Sequence, residues 1–181
     1  MKTDFLQKDE NILWSGRPGK NFSFKSGIER MNFTRGIAEI TVLAVVLGLY
    51  IHRDPEWNIP LTLLLAGIAL LAAASPLLTH YRLLGQRYWI TDKRAIVTAR
   101  DGSIYSMEHH TVRDLELMDG DCVVMSNEPL SGSLSQVWRI AGHPQSTLST
   151  EGQIRSDALA FYHVDRAGEA LELLRKLTKS A

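Results

Sequence analysis

The feature that most constrains this chain is a block without a single charged side chain, "IPLTLLLAGIALLAAASPLLT", residues 59–79. A second block, "FTRGIAEITVLAVVLGLYI", residues 33–51, lies just before it. The hydrocarbon core of a bilayer is about 30 Å thick and takes roughly 20 predominantly apolar residues of helix to cross. Both blocks meet that length. A helix that is apolar on every face needs lipid around it or a thick protein coat. In a chain of 181 residues, too little remains outside the two blocks to build the coat. The expectation is a transmembrane helical hairpin over residues 33–80, with spans at 33–51 and 59–79. Pro60 suits a first helical turn, where its missing N–H is not needed. Pro76 falls near the far end, where an early helix stop is tolerated. The first 30 residues carry scattered charges and no apolar run, so they are not expected to act as a cleaved signal peptide.

The link "HRDPEWN", residues 52–58, is short enough to force an antiparallel return. Arg17, Lys20, Lys25, Arg30 and Arg35 precede the first span; Arg82, Arg87, Lys93, Arg94 and Arg100 follow the second. The link holds only Arg53, offset by Asp54 and Glu56. Basic residues stay on the cytoplasmic side, so both termini are expected there. Tyr50 and Trp57 fall where outer interfacial aromatics belong, and Tyr81, Tyr88 and Trp89 follow the inner end. Glu39 sits inside the first span, one helical turn from Arg35. It can pair with Arg35, snorkel, or meet a partner helix in the membrane. The small residues of "AGIALLAAAS" let helices approach closely. Arg35, Glu39, Gly67 and Ala74 are therefore the candidate intramembrane contacts.

Residues 1–32 read as an extended or interfacial segment. Phe22, Phe24, Ile28, Met31 and Phe33 among Lys25, Glu29 and Arg30 suit a stretch lying along headgroups. Packing of the same segment on the following domain is the other reading, and the two are compatible. From residue 81 to 181 the pattern turns to short alternating strands. "RYWITD" and "RAIVTAR" hinge at Asp92-Lys93, and "SIYSMEH" follows a turn at Asp101-Gly102. "TVRDLELMD" and "CVVMSN" flank Asp119-Gly120-Asp121. "SLSQVWRIAG" reads as a sixth strand, residues 142–156 as a loop, and "DALAFYHV" as a seventh strand. Such spacing argues for an antiparallel barrel or sandwich. "DRAGEALELLRKLTKS" is an amphipathic helix with Asp165 as N-cap. Its apolar stripe is Ala167, Ala170, Leu171, Leu174 and Leu177.

"ILWSGRP" ahead of two spans, "YWITDKRAIV", the strand start at Gly102 to Ile104 and "FYHVDRAGEALELL" together resemble the bacterial PH-like membrane proteins. Tyr88, Ile90, Thr91 and Arg94 match that family's "Y-x-[IL]-T-x-x-R" strand pair. Residues 128–156 show no match. The resemblance implies a membrane α + β protein. A two-helix transmembrane hairpin would be followed by an antiparallel pleckstrin-homology-type β-barrel of about seven strands, closed by a C-terminal helix. It also implies placement in a bacterial inner membrane, in a broad family that includes photosynthetic-complex assembly proteins.

No catalytic constellation stands out. His109-His110 would point to opposite faces of a strand. His143 and His163 bring no Cys or carboxylate at a metal-ligand spacing. The lone Cys122 lies in an apolar strand pattern and reads as a small buried hydrophobe. "SGSLS" lacks the Lys and the context of a phosphate loop. Lys plus Arg and Asp plus Glu are 20 each, which gives no global pull toward nucleic acid. No cofactor and no metal are expected, and no enzyme. The expected role is a non-enzymatic accessory, assembly or scaffold subunit of an integral inner-membrane complex. The alternative is a sensor of anionic lipid, with Lys25, Arg30, Lys93, Arg94 and Arg100 as headgroup contacts, each basic residue near an anionic leaflet adding about 1 kcal/mol.

Overall fold

The computed structural model describes residues 6–19, 27–53, 58–142, 146–150 and 153–180. Strands are β1 (Ile12–Gly16), β2 (Arg87–Thr91), β3 (Arg94–Thr98), β4 (Ile104–Glu108), β5 (Asp114–Met118), β6 (Cys122–Ser126), β7 (Ser146–Thr150), β8 (Gln153–Ser156) and β9 (Ala158–Phe161). Helices are α1 (Gly27–Arg53), α2 (Ile59–Leu83), α3 (Leu134–Gly142) and α4 (Ala167–Ser180). The chain divides into two compact units, Met1–Phe22 with Tyr81–Ala181, and Ser23–His80.

The helical unit holds α1 and most of α2. Asn58 caps α2, its side-chain oxygen accepting the Leu61 N–H at 3.1 Å, the usual work of an N-cap amide. Its own N–H donates to the Tyr50 hydroxyl at 3.4 Å. Phe33–Arg53 is long and apolar enough to cross a membrane, and only 6 % of its apolar window is buried. In α2 the described apolar stretch is shorter, Ile59–Leu71. One helix therefore meets the length requirement among the described residues. The outer-face aromatic Trp57 and the acidic pair Asp54 and Glu56 lie outside them.

The sheet unit consists of two open sheets, neither closed on itself. The larger runs β1-β2-β3-β4-β8-β7 and the smaller β5-β6-β9. All strand pairs are antiparallel except β4 with β8. Tyr88 opposes Val97 and Ile90 opposes Ala95 across β2 and β3, while Trp89 opposes Ile96. Because side chains alternate across a strand, these pairs define two faces. The Tyr88 face meets the smaller sheet through Phe161, which stacks on Tyr88 at 4.9 Å and on Trp14 at 5.8 Å. On the opposite face Trp89 and Ile96 form a second apolar cluster with Leu6 and Ile104. Both faces of the central strands are thus covered, which explains why four of five β2 residues are buried. Helix α4 buries Ala167, Ala170, Leu171 and Leu174, four of the five stripe residues its spacing predicts, Leu177 being half-buried, and packs against β5 and β6.

Several expectations change. Residues 12–16 are extended, one of the two readings of that segment, and form an edge strand of the sheet, where the Trp14 ring stacks on Phe161. Residues 134–142 are helix rather than strand. Leu134, Val137 and Ile140 recur every three residues, a helical period, and Val137 and Ile140 are buried. Residues 146–150 and 153–156 pair as β7 and β8 where a loop was expected, and among the described residues 81–181 hold eight strands against about seven expected. Tyr88 and Trp89 are core residues, at 0 % and 7 % exposure, and not interfacial ones. Helix α4 begins at Ala167, two residues past Asp165. His109 and His110 lie on a 3-10 turn, His109–Thr111, rather than on a strand.

Candidate functional site

Two polar constellations stand out in the sheet unit. The first is buried and lies on the Trp89 face. The Arg94 guanidinium holds the Glu10 carboxylate with two parallel bonds, Nε to Oε1 and Nη2 to Oε2, both 2.9 Å. The side-chain exposures are 4 % and 0 %. Thr91 donates its hydroxyl to Glu10 Oε1 at 2.8 Å, and the Gln7 N–H donates to Oε2 at 2.7 Å. Burial alone would raise the Glu10 pKa; the bonds from Arg94, Gln7 and Thr91 outweigh it and hold the carboxyl below its ordinary 4.5. Nearby, His109 Nε2 lies 2.9 Å from the Thr91 carbonyl. A carbonyl only accepts, so that nitrogen carries the proton, and Nδ1 has no partner among the described residues. Burial pushes the His109 pKa below its ordinary 6.5. Further ties fasten the same segment: Asn11 N–H to Asp92 at 3.0 Å and Lys93 Nζ to the Lys8 carbonyl at 3.0 Å. The arrangement is a latch that joins residues 6–11 to the β2–β3 hairpin. Its Glu10–Arg94 pair is closed to solvent, while the outer ties at Asn11 and Lys93 are exposed.

The second constellation is an open cleft of about 470 Å³, lined by Trp14, Arg17, Arg87, Trp89, Asp165 and Arg166 among others. The β1–β2 register pairs Ser15 with Trp89 and Gly16 with Tyr88. Arg17 follows the last residue of β1 and Arg87 is the first of β2, while Pro18 bridges to Val164. Both arginines are exposed, and neither has an ion-pair partner among the described residues. Arg166 bridges to Glu169 at 3.3 Å. Beside the cleft the Gly19 N–H donates to the His163 carbonyl at 2.6 Å. A Cβ at Gly19 would lie 2.6 Å from the His163 ring, so only glycine allows this approach.

His163 has φ of 50°, a left-handed conformation uncommon outside glycine. Its Nδ1 pairs with the Asp121 carboxylate, and its N–H donates to Cys122 Sγ at 3.4 Å. Asp121, Cys122 and His163 are thereby brought together, a juxtaposition that sequence spacing did not suggest. It is not a thiolate site. The Cys122 thiol donates to Asp121 at 3.3 Å, and burial pushes its pKa well up, which leaves the thiol protonated and inert. No group of three or more His, Cys, Asp or Glu side chains is placed to hold a metal ion among the described residues.

The residues expected to contact headgroups belong to different units. Arg94 is the buried partner of Glu10, and its guanidinium cannot reach lipid, a correction forced by a carboxylate contributed from outside the hairpin. Arg100 lies over the Tyr81 ring at 4.4 Å, a cation–π contact. Lys93 is tied to Lys8. Arg30 is exposed on α1, and Lys25 lies outside the described residues, as does His143. Of the expected intramembrane contacts, Arg35 Nε donates to Glu39 at 2.9 Å, the pairing the one-turn spacing predicts. Gly67 has open space around it, and Ala74 is partly exposed. No family model, no curated protein and no solved structure matches the chain.

Proposed function

We propose that this chain is a membrane-anchored, non-enzymatic accessory, assembly or scaffold subunit of an inner-membrane protein complex. Its sheet unit would be a cytoplasmic domain of pleckstrin-homology type, held by two spans. The observation that carries the reading is the pairing of β1 with β2. The strands before and after the apolar helices are hydrogen-bonded neighbours, so they share one side of any bilayer. A chain that crosses in α1 has to cross back before residue 87, and α2 is the segment available to do so. The basic residues on both flanks then favour the cytoplasmic side. A binding role rather than catalysis is supported by the inert thiol, the closed latch and the exposed apolar flanks of α1 and α2. The family resemblance is supported by the roles of its motif residues: Tyr88 and Ile90 face the core, while Thr91 and Arg94 hold Glu10.

The test is purification of the full chain from native membranes in a mild detergent. Carbonate-resistant membrane association, labelling of single cysteines in 52–58 from outside the cell only, and co-purification of a stoichiometric integral membrane complex are expected. Release by carbonate, or labelling of 52–58 only from inside, refutes the anchor. A chain that purifies alone refutes the subunit role.

A further inference from the structure

We propose that the cleft beside the β1–β2 edge is a binding site for a phosphate-bearing anion, gripped by Arg17 and Arg87. This goes beyond the scaffold reading and does not depend on it. Arg17, just past the end of β1, and Arg87, the first residue of β2, line the same cleft, and like charges gathered in one cleft repel unless an anion lies between them. Planar guanidinium forks suit two-point recognition of such an oxyanion.

The lining adds a third guanidinium, Arg166, against one carboxylate, Asp165. Because Arg166 already bridges to Glu169, the unbalanced charge rests on Arg17 and Arg87. Two forks lining one cleft need two separate oxygen edges. A carboxylate has one such edge, whereas a phosphate tetrahedron has several, which selects phosphate. The wall also holds Trp14, 8 % exposed, whose indole N–H finds no acceptor among the described residues. The volume of about 470 Å³ falls in the range of about 300–1,000 Å³ usual for small-molecule sites. A lipid headgroup and a soluble phosphate present the same chemistry to such a cleft.

The experiment titrates the full chain in nonionic detergent and follows tryptophan fluorescence, since Trp14 and Trp89 line the cleft. One arm uses inorganic phosphate and pyrophosphate; the other uses mixed micelles carrying phosphatidic acid, with phosphatidylcholine as control. A saturable, salt-sensitive change is expected in at least one arm. The soluble arm alone indicates a free phosphate, and the lipid arm alone indicates a headgroup. The double variant Arg17→Gln/Arg87→Gln should weaken the response at least tenfold, while Arg175→Gln on α4 leaves it unchanged. In a second measurement, phosphate or phosphatidic acid should shield Arg17 and Arg87 from phenylglyoxal, read by mass spectrometry. Without ligand the double variant should melt no lower than the parent chain, since both side chains are exposed. No saturable response in either arm, or a response unaltered in the double variant, overturns the proposal.

Discussion

The two units of this molecule treat the same kinds of side chain in opposite ways. In the sheet unit Ile90, Ile96, Leu159 and Phe161 are 0 % exposed. In the helical unit Val42, Leu49, Leu63 and Leu70 are 62 %, 64 %, 68 % and 74 % exposed. Burying one such side chain stabilises by about 1.5–3 kcal/mol relative to leaving it in water. The sheet unit realises that gain within itself. The helical unit leaves these side chains exposed, and its Phe33–Arg53 stretch is long and apolar enough to cross a membrane. Polar pairs divide likewise. Glu10 and Arg94 are sealed from water, whereas Arg35 and Glu39 are 76 % and 37 % exposed at the same 2.9 Å separation. Equal geometry does not mean equal energy, because desolvation sets the stakes.

The strongest way to break this comparison is at Glu10. Glu10→Ala strands a buried guanidinium and should cost about 3–5 kcal/mol, read from denaturant unfolding of the full chain in detergent by tryptophan fluorescence. The double variant Glu10→Leu/Arg94→Met removes both charges and should recover most of that loss. If the single variant unfolds like the parent, the latch is not what fastens residues 6–11.

Next come two lysine substitutions with opposite outcomes. Leu70→Lys should weaken membrane insertion by about 3 kcal/mol while leaving the fluorescence unfolding of the sheet unit in place. Leu159→Lys should abolish the sheet unit's unfolding transition and leave membrane association intact. The same failure in both variants would mean that the two units do not bury their apolar surface independently.

A smaller effect is expected from pH. Unfolded, His109 takes up a proton near its ordinary 6.5, but folded it does so only at a lower pH. Acid therefore favours the unfolded chain, and the His109 contribution, present above pH 6.5, is lost as pH falls through that value toward the folded pKa. Glu10 acts with the same sign further down. Its contribution is present above 4.5 and is lost below it. Unfolding midpoints measured across pH should fall in two stages, and His109→Gln should flatten the upper one alone. The smallest effect belongs to Arg35→Ala, about 0.3–0.5 kcal/mol for an exposed pair one helical turn apart, detectable only as a slight shift in melting temperature.

Much of the sheet unit was legible in the sequence. The β2–β3 hairpin shows in its alternation and its Asp92-Lys93 turn. Gly102 and Gly120 adopt positive φ, as the Asp-Gly turns require, and the α4 stripe is plain. The β7–β8 pair was not legible, because "STLST" and "QIRS" carry little apolar alternation to read. Helix α3 was misread because nine residues are too few for a period to assert itself against a strand-like run. Neither polar constellation could be read, since each joins residues far apart in the chain: Glu10 with Arg94, and Arg17 with Arg87. The one available signal was Glu10 itself, an acidic residue placed just before the apolar "NILW" run.

The position of β1 also bears on how the chain is made. A ribosome delivers this strand first, then residues 17–86, and only afterwards the β2 backbone to which it bonds. Until then β1 is an unpaired edge and Glu10 a carboxylate in search of its cation. The larger sheet is therefore finished only after both oily helices have left the ribosome, so its assembly waits on their disposal.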